Sequence, residues 1–174
     1  MSLERQARVH VEPSAGRKLA YITAAVAALS AIGKATVNFA EMMDPYFWIA
    51  IGSALGGVSR YWTSGVAARL IGETFPWGTL IINVLGSFII GFFATLTGPD
   101  GRVYVSTTAR QFVMIGFCGG FTTFSSFSLQ TLNLMNDGEW LRAGGNISVS
   151  ILCCLIAVWT GYLVATGLNT MKWI

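Results

Sequence analysis

Four stretches of this chain stay mostly apolar for about the length a bilayer demands: Tyr46 to about Leu70, Gly78 to about Thr97, Arg110 to about Met135, and Gly144 to about Leu168. A membrane-spanning helix needs about 20 such residues, so each predicts a span. The intervening runs are turn-like. GETFPW carries Pro76, TGPDGR is a Pro/Gly loop and NDGEW is a polar turn. Their shortness makes neighbouring spans antiparallel and predicts an all-α, four-helix membrane domain over residues 45–174. The third stretch departs from the pattern at its centre, where GFCGGFTTFSSFS runs from Gly116 to Ser128. Lipid offers no water to unpaired backbone groups, so a Gly-Gly break at Gly119 and Gly120 survives at membrane depth only where protein, an ion or a wet cavity satisfies it. A packing seam of small residues is the plain alternative. The density of glycine, hydroxyl and phenylalanine in one run favours an ion site.

Residues 1–44 follow another pattern. A polar start with Arg5, Arg8, Arg17 and Lys18 precedes an alanine-rich run, Leu19 to Ile32, ending at Gly33 and Lys34. Fourteen helical residues reach only about 21 Å, short of a hydrocarbon core of about 30 Å. Leu19, Ile22, Val26, Leu29 and Gly33 share a side, which predicts an N-terminal extension with an amphipathic helix lying in the membrane interface. A fifth span and a cleaved signal are the other two readings.

Composition agrees with a membrane protein: 53% hydrophobic and only 11% charged, against roughly 25% charged in soluble domains. Mean hydropathy is +0.60. The placement of charge says more. All 8 carboxylates lie outside the spans or at their ends. Proton-coupled pumps need an ionisable group within the membrane, so passive conduction is favoured over coupled transport. His10, the only histidine, lies in the polar N-terminal region, and Cys118, Cys153 and Cys154 fall within spans as small apolar fillers. No nucleophile, base and orienting acid form a set, so the chain is read as no enzyme. A net charge of +3 is no signature of nucleic-acid binding.

The remaining polar side chains recur at helical spacing. Thr79 and Asn83 share a face of the second span; Ser150 and Cys154 share one on the fourth, with Asn146 a turn earlier; Ser125 and Ser128 lie beside Phe124 and Phe127 on the third. Singly, each reads as an interhelical hydrogen bond worth about 0.6 kcal/mol. Three stripes together suggest a lined pathway. Asn83 offers amide donors, the hydroxyls offer O–H donors, and phenyl rings present positive edges to an anion. Donors without full charge suit an ion that must enter and leave. Asn83 is expected as a donor facing that pathway, not an interhelical staple.

GGVSRYW at Gly56 to Trp62, PWGTLIINVLGSFIIG at Pro76 to Gly91, GFCGGFTTFSSFSLQ at Gly116 to Gln130, and NISVSILCCLIAVWTGYL at Asn146 to Leu163 closely resemble the Fluc (CrcB) family of fluoride channels. The resemblance covers nearly all of Tyr46 to Leu168. It implies an antiparallel, dual-topology homodimer with two fluoride pores. On it, Thr79, Asn83, Phe124, Ser125 and Phe127 line the fluoride path, Ser150 and Cys154 continue it, and the backbone carbonyls of Gly119 and Thr122 hold a structural sodium at the dimer axis. No organic cofactor is implied. Arg60 matches the family's arginine and either feeds anions into the vestibule or snorkels beside Tyr61 and Trp62. Gln130 stands where relatives often carry glutamate, and Cys154 where a small or hydroxylated residue is more usual.

These residues point to a passive fluoride channel, multi-pass in the inner (plasma) membrane, that exports fluoride and reduces its toxicity. Its partners are fluoride, membrane lipid and a second copy of the chain. A channel or carrier for another small anion and a non-conducting membrane scaffold are the alternatives. Orientation follows from charge: Arg102, Arg110 and Lys172 on one side of the core balance Arg60, Arg69 and Arg142 on the other. The extension adds Arg5, Arg8, Arg17, Lys18 and Lys34 to one side, and an arm that biased insertion would demand an oppositely oriented paralogue.

Overall fold

A computed structural model describes residues 13–171. The basic positions Arg5, Arg8 and Lys172 lie outside the described residues. The chain divides into two units, Met1–Met43 and Asp44–Ile174, and α1 (Pro13–Ile71) contributes to both. In the first unit, the apolar run Ala20–Lys34 is helical. The side chains of Tyr21, Ile22, Val26, Leu29 and Ile32 on it are all exposed.

In the second unit every described element is a helix. After α1 come α2 (Trp77–Leu96), α3 (Thr107–Gln111), a π-helical segment (Phe112–Cys118), α4 (Gly119–Phe121), α5 (Phe124–Asn136) and α6 (Trp140–Thr170). Three stretches are long and apolar enough to cross a membrane by length and composition: Trp77–Leu96, Thr107–Asn136 and Trp140–Thr170. The first expected span is helical within α1 but does not join them. Glycine, serine and threonine, together with Arg60 and Arg69, dilute its apolar character.

Those small residues have a packing purpose. Gly52 and Gly56 on α1 are four apart, as are Gly116 and Gly120 on the opposing helix. A Cβ added to Gly52 would stand 2.5 Å from the Phe112 carbonyl oxygen, and one on Gly120 2.5 Å from that of Ser53. A Cβ on Gly56 would collide with the Phe117 carbonyl. Two small-xxx-small rows thus let the backbones touch, the usual means by which helices pack without a hydrophobic drive between them. Gly56→Ala is expected to cost about 1–3 kcal/mol as an overpacked contact, while Gly57→Ala, which faces open space, stays near neutral. Thermal unfolding of the two variants in detergent is the check. Gly91 and Gly161 likewise bring α2 and α6 together, each against the other's backbone.

The connectors behave as turns. Gly72 (φ 93) and Gly138 (φ 78) adopt the left-handed conformation that only glycine takes at little cost. At the other end, Arg102 donates through Nη1 to the carbonyls of Leu168 and Met171, both at 3.0 Å, while its backbone N–H meets Asn169 Oδ1. Arg110 donates to the carbonyl and hydroxyl oxygens of Thr97. Both arginines therefore satisfy carbonyls at helix C-termini.

Candidate functional site: a cavity beside a broken helix

The third membrane stretch breaks at Thr122 and Thr123, not at Gly119 and Gly120. The two glycines are helical, and the chain becomes extended at Thr122 (φ −77, ψ 157) and Thr123 (φ −152, ψ 113). Physically, Gly120 is needed for close approach to Ser53. The interruption itself is imposed from α2. Asn83 Nδ2 donates to the Thr123 carbonyl at 3.1 Å, and the Thr123 N–H donates to Asn83 Oδ1 at 2.8 Å. One amide side chain thus takes the N–H that would otherwise continue the helix and adds a second donor to the carbonyl that opens α5. Thr123 then caps the next helix, its Oγ1 accepting from the Ser126 N–H at 3.2 Å.

The break frees the carbonyls of residues 119–122 from their ladder donors, those of Gly119 and Thr122 among them. In a continuous helix the N–H of Thr123 would go to the Gly119 carbonyl, and that of Ser126 to the Thr122 carbonyl. The first goes to Asn83 and the second to Thr123 Oγ1. Gly119 and Thr122 are therefore left with hard oxygens free of those ladder donors. Gly119 is exposed and a Cβ there would meet nothing.

A cavity of about 370 Å³ opens at the break. It gathers Asn83 from α2, Gly119, Thr122, Phe124 and Phe127 from the broken helix, and Ser150 and Cys154 from α6. No charged side chain lines it among the described residues. The rings of Phe124 and Phe127 lie 5.3 Å apart at 45°. They differ sharply in cover: Phe124 is 77% exposed and Phe127 9%. Asn83 is first an interhelical staple, with one Nδ2 hydrogen left over beside the cavity.

Other expected residues lie elsewhere. Ser125 is exposed, pairs with Thr123 Oγ1 at 3.2 Å, and does not line the cavity. Thr79 is buried and borders a second cavity of about 310 Å³ with Ser64 and Gln130. The Gln130 Oε1 there is buried with no hydrogen-bond partner. Arg60 is half-buried on α1 and lines neither cavity. One component escaped the sequence reading. Thr131 links α5 to Asn146 on α6, and Asn146 to Ser150, in a buried hydrogen-bonded series. Its signal was available, because Thr131 continues the Ser128 and Gln130 polar run, yet nothing local announces the partner 15 residues on.

Three apolar helices, one broken around an uncharged cavity, define an all-α membrane protein. The profile described as "CrcB-like protein, Camphor Resistance (CrcB)" matches residues 47–162, and the chain belongs to that family. It is 63% identical over 130 residues to the "Fluoride-specific ion channel FluC" of Opitutus terrae, covering 75% of this chain and 98% of that one. It is 64% identical over 127 residues to the FluC of Methylocella silvestris, covering 73% and 97%. A FluC from Rhodospirillum rubrum is 56% identical over 124 residues, covering 71% and 96%.

Proposed function

We propose that this protein is a fluoride-selective passive channel, and not an enzyme, that lets fluoride leave the cell across its inner membrane. The observation that carries this is the cavity at the break, where an amide, hydroxyls and phenyl rings converge with no charged group among them. An anion is attracted by donors and positive ring edges but not trapped by a cation. A negative-inside potential drives an anion outward by about 2.3 kcal/mol per 100 mV, so no coupling is required, and removing fluoride in this way lowers its toxicity. Purified protein in liposomes loaded with potassium fluoride is expected to release fluoride rapidly on addition of valinomycin, followed with a fluoride electrode. Chloride under the same conditions stays inside. Equal chloride flux would point to a general small-anion channel, and no flux at all to a scaffold.

Four spans arranged as an antiparallel, dual-topology homodimer complete the proposal. The segment 46–70 is the fourth span; in it, small residues against a neighbouring backbone take the place of lipid-facing bulk. An exposed strip with Ile115, Gly119 and Phe124 offers a face to a second copy. Two copies would present four carbonyls, from Gly119 and Thr122 of each, and freed backbone oxygens suit a hard cation such as sodium. On this proposal Thr79, Ser125 and Arg60 serve the approaches to the cavity, and residues 1–44 contribute an interfacial helix on lipid. The core without residues 1–44 is expected to insert in both orientations when topology reporters are fused to its C-terminus. Its purified dimer should be more heat-stable in sodium than in N-methylglucamine. A single orientation, or indifference to sodium, contradicts the respective part.

A further inference from the structure

The hydrogen bonds that join Phe127 to Ser150 through the interior have a direction. The Thr131 hydroxyl donates to the Phe127 carbonyl at 2.8 Å. With its one hydrogen committed there, Thr131 Oγ1 serves as an acceptor, and it receives Asn146 Nδ2 at 2.8 Å. That turns Asn146 Oδ1 toward Ser150, whose hydroxyl donates to it at 3.3 Å. A backbone carbonyl at one end therefore dictates the orientation of the amide and the direction of the last hydrogen. Thr131, Asn146 and Ser150 are all buried, with Asn146 only 2% exposed.

Both ends of the series are walls of one cavity: Phe127 and Ser150 line it, whereas Thr131 and Asn146 do not. The link at the cavity end is the longest, 3.3 Å against 2.8 Å for the other two. It lies beyond the usual range of about 2.5–3.0 Å for a hydroxyl donor. The Ser150 hydrogen is thus held, but loosely. We propose that Asn146 is a positioning residue for anion passage, competing with fluoride for the single hydrogen of Ser150. Thr131, anchored on the Phe127 carbonyl, locks the amide in the orientation that makes it a competitor. An arriving anion draws the hydrogen away from Asn146 Oδ1, and the amide reclaims it as the anion leaves. The amide so weakens binding at Ser150 and speeds release, the balance that conduction needs. This inference rests on the reading of the cavity as the fluoride path.

The test is the concentration dependence of fluoride flux in liposomes for the wild type, Asn146→Val, Ser150→Ala and the double variant. Removing the competitor is expected to lower the half-saturating fluoride concentration by about three- to tenfold, the range one neutral hydrogen bond converts to, and to slow maximal flux. In the Ser150→Ala background the same change should leave half-saturation where it was. A purely structural Asn146 would reduce maximal flux alike in both backgrounds without moving half-saturation, and that result overturns the inference. If Ser150→Ala alters flux but the Asn146→Val shift persists beside it, the positioning role alone fails. If Ser150→Ala changes nothing, Ser150 is off the path, and the cavity reading fails at that residue together with this inference. Should Asn146→Val not assemble, Thr131→Val removes the anchor and is expected to shift half-saturation the same way. Thr131→Ser, which keeps the hydroxyl, should match the wild type; wild-type half-saturation in Thr131→Val would also overturn the proposal.

Discussion

Replacing Phe127 with isoleucine is expected to reduce fluoride flux by roughly two- to tenfold while leaving assembly intact. Phe127 is 9% exposed, lines the cavity, and stands 5.3 Å from the Phe124 ring. Isoleucine keeps much of the bulk at that packed position but has no quadrupole, and contacts of this kind are worth about 0.5–1.5 kcal/mol each. Its backbone carbonyl still accepts from Thr131, so the α5–α6 link survives the change. The variant should therefore run as the wild type on gel filtration and fall short only in the fluoride-electrode assay. Phe124→Ile removes a ring that is largely uncovered in the single chain, and should lose flux with a smaller effect on stability. Wild-type flux from a folded Phe127→Ile protein would return the pair of rings to a packing role.

The second large effect is expected at Asn83. The amide both donates to and accepts from Thr123, so its loss leaves the Thr123 backbone N–H unpaired and its carbonyl with the helical donor alone. An unpaired buried group of this kind costs about 1–3 kcal/mol. Asn83→Asp keeps an acceptor for the Thr123 N–H but loses the donor to the Thr123 carbonyl and sets a negative charge beside an anion path. Flux should be abolished and melting temperature lowered. Asn83→Ser is too short to reach both groups, so it too should melt earlier, though its remaining hydroxyl donor preserves some flux. Measuring efflux and thermal stability together separates the two duties of this side chain. A variant with normal stability and no flux would mean that the staple is dispensable; full flux in Asn83→Asp would take Asn83 off the pathway.

Much of the architecture was legible because lipid is an unforgiving solvent. Backbone groups must be paired within each crossing segment, so the apolar runs at Gly78–Thr97, Arg110–Met135 and Gly144–Leu168 had to be helical, and apart from the α2 cap at Thr97 and the break at Thr122 and Thr123 they are. Turn chemistry at Gly72 and Gly138 was equally plain, since both adopt positive φ. The segment from Tyr46 was harder. Its small residues read as part of an apolar run, but their purpose, contact between backbones at Gly52, Gly56, Gly116 and Gly120, depends on a partner helix some 60 residues away. Likewise, Gly119–Gly120 looked like the break because glycine weakens a helix. Packing overrode that preference and kept both residues helical.

By itself, then, the sequence determined that this is a helical membrane protein, where three apolar segments long enough to cross lie, which side chains are available as uncharged donors, and that no carboxylate sits within those segments. These follow from local quantities: length, hydropathy, charge and helical spacing. Only the tertiary structure decided where the third helix opens and which donors meet. Asn83 reaches Thr123 across 40 positions, and Asn146 reaches Thr131 across 15. A side-chain amide pairs with whatever polar group the fold brings within about 3 Å, and periodicity along one helix does not encode which group on another that will be.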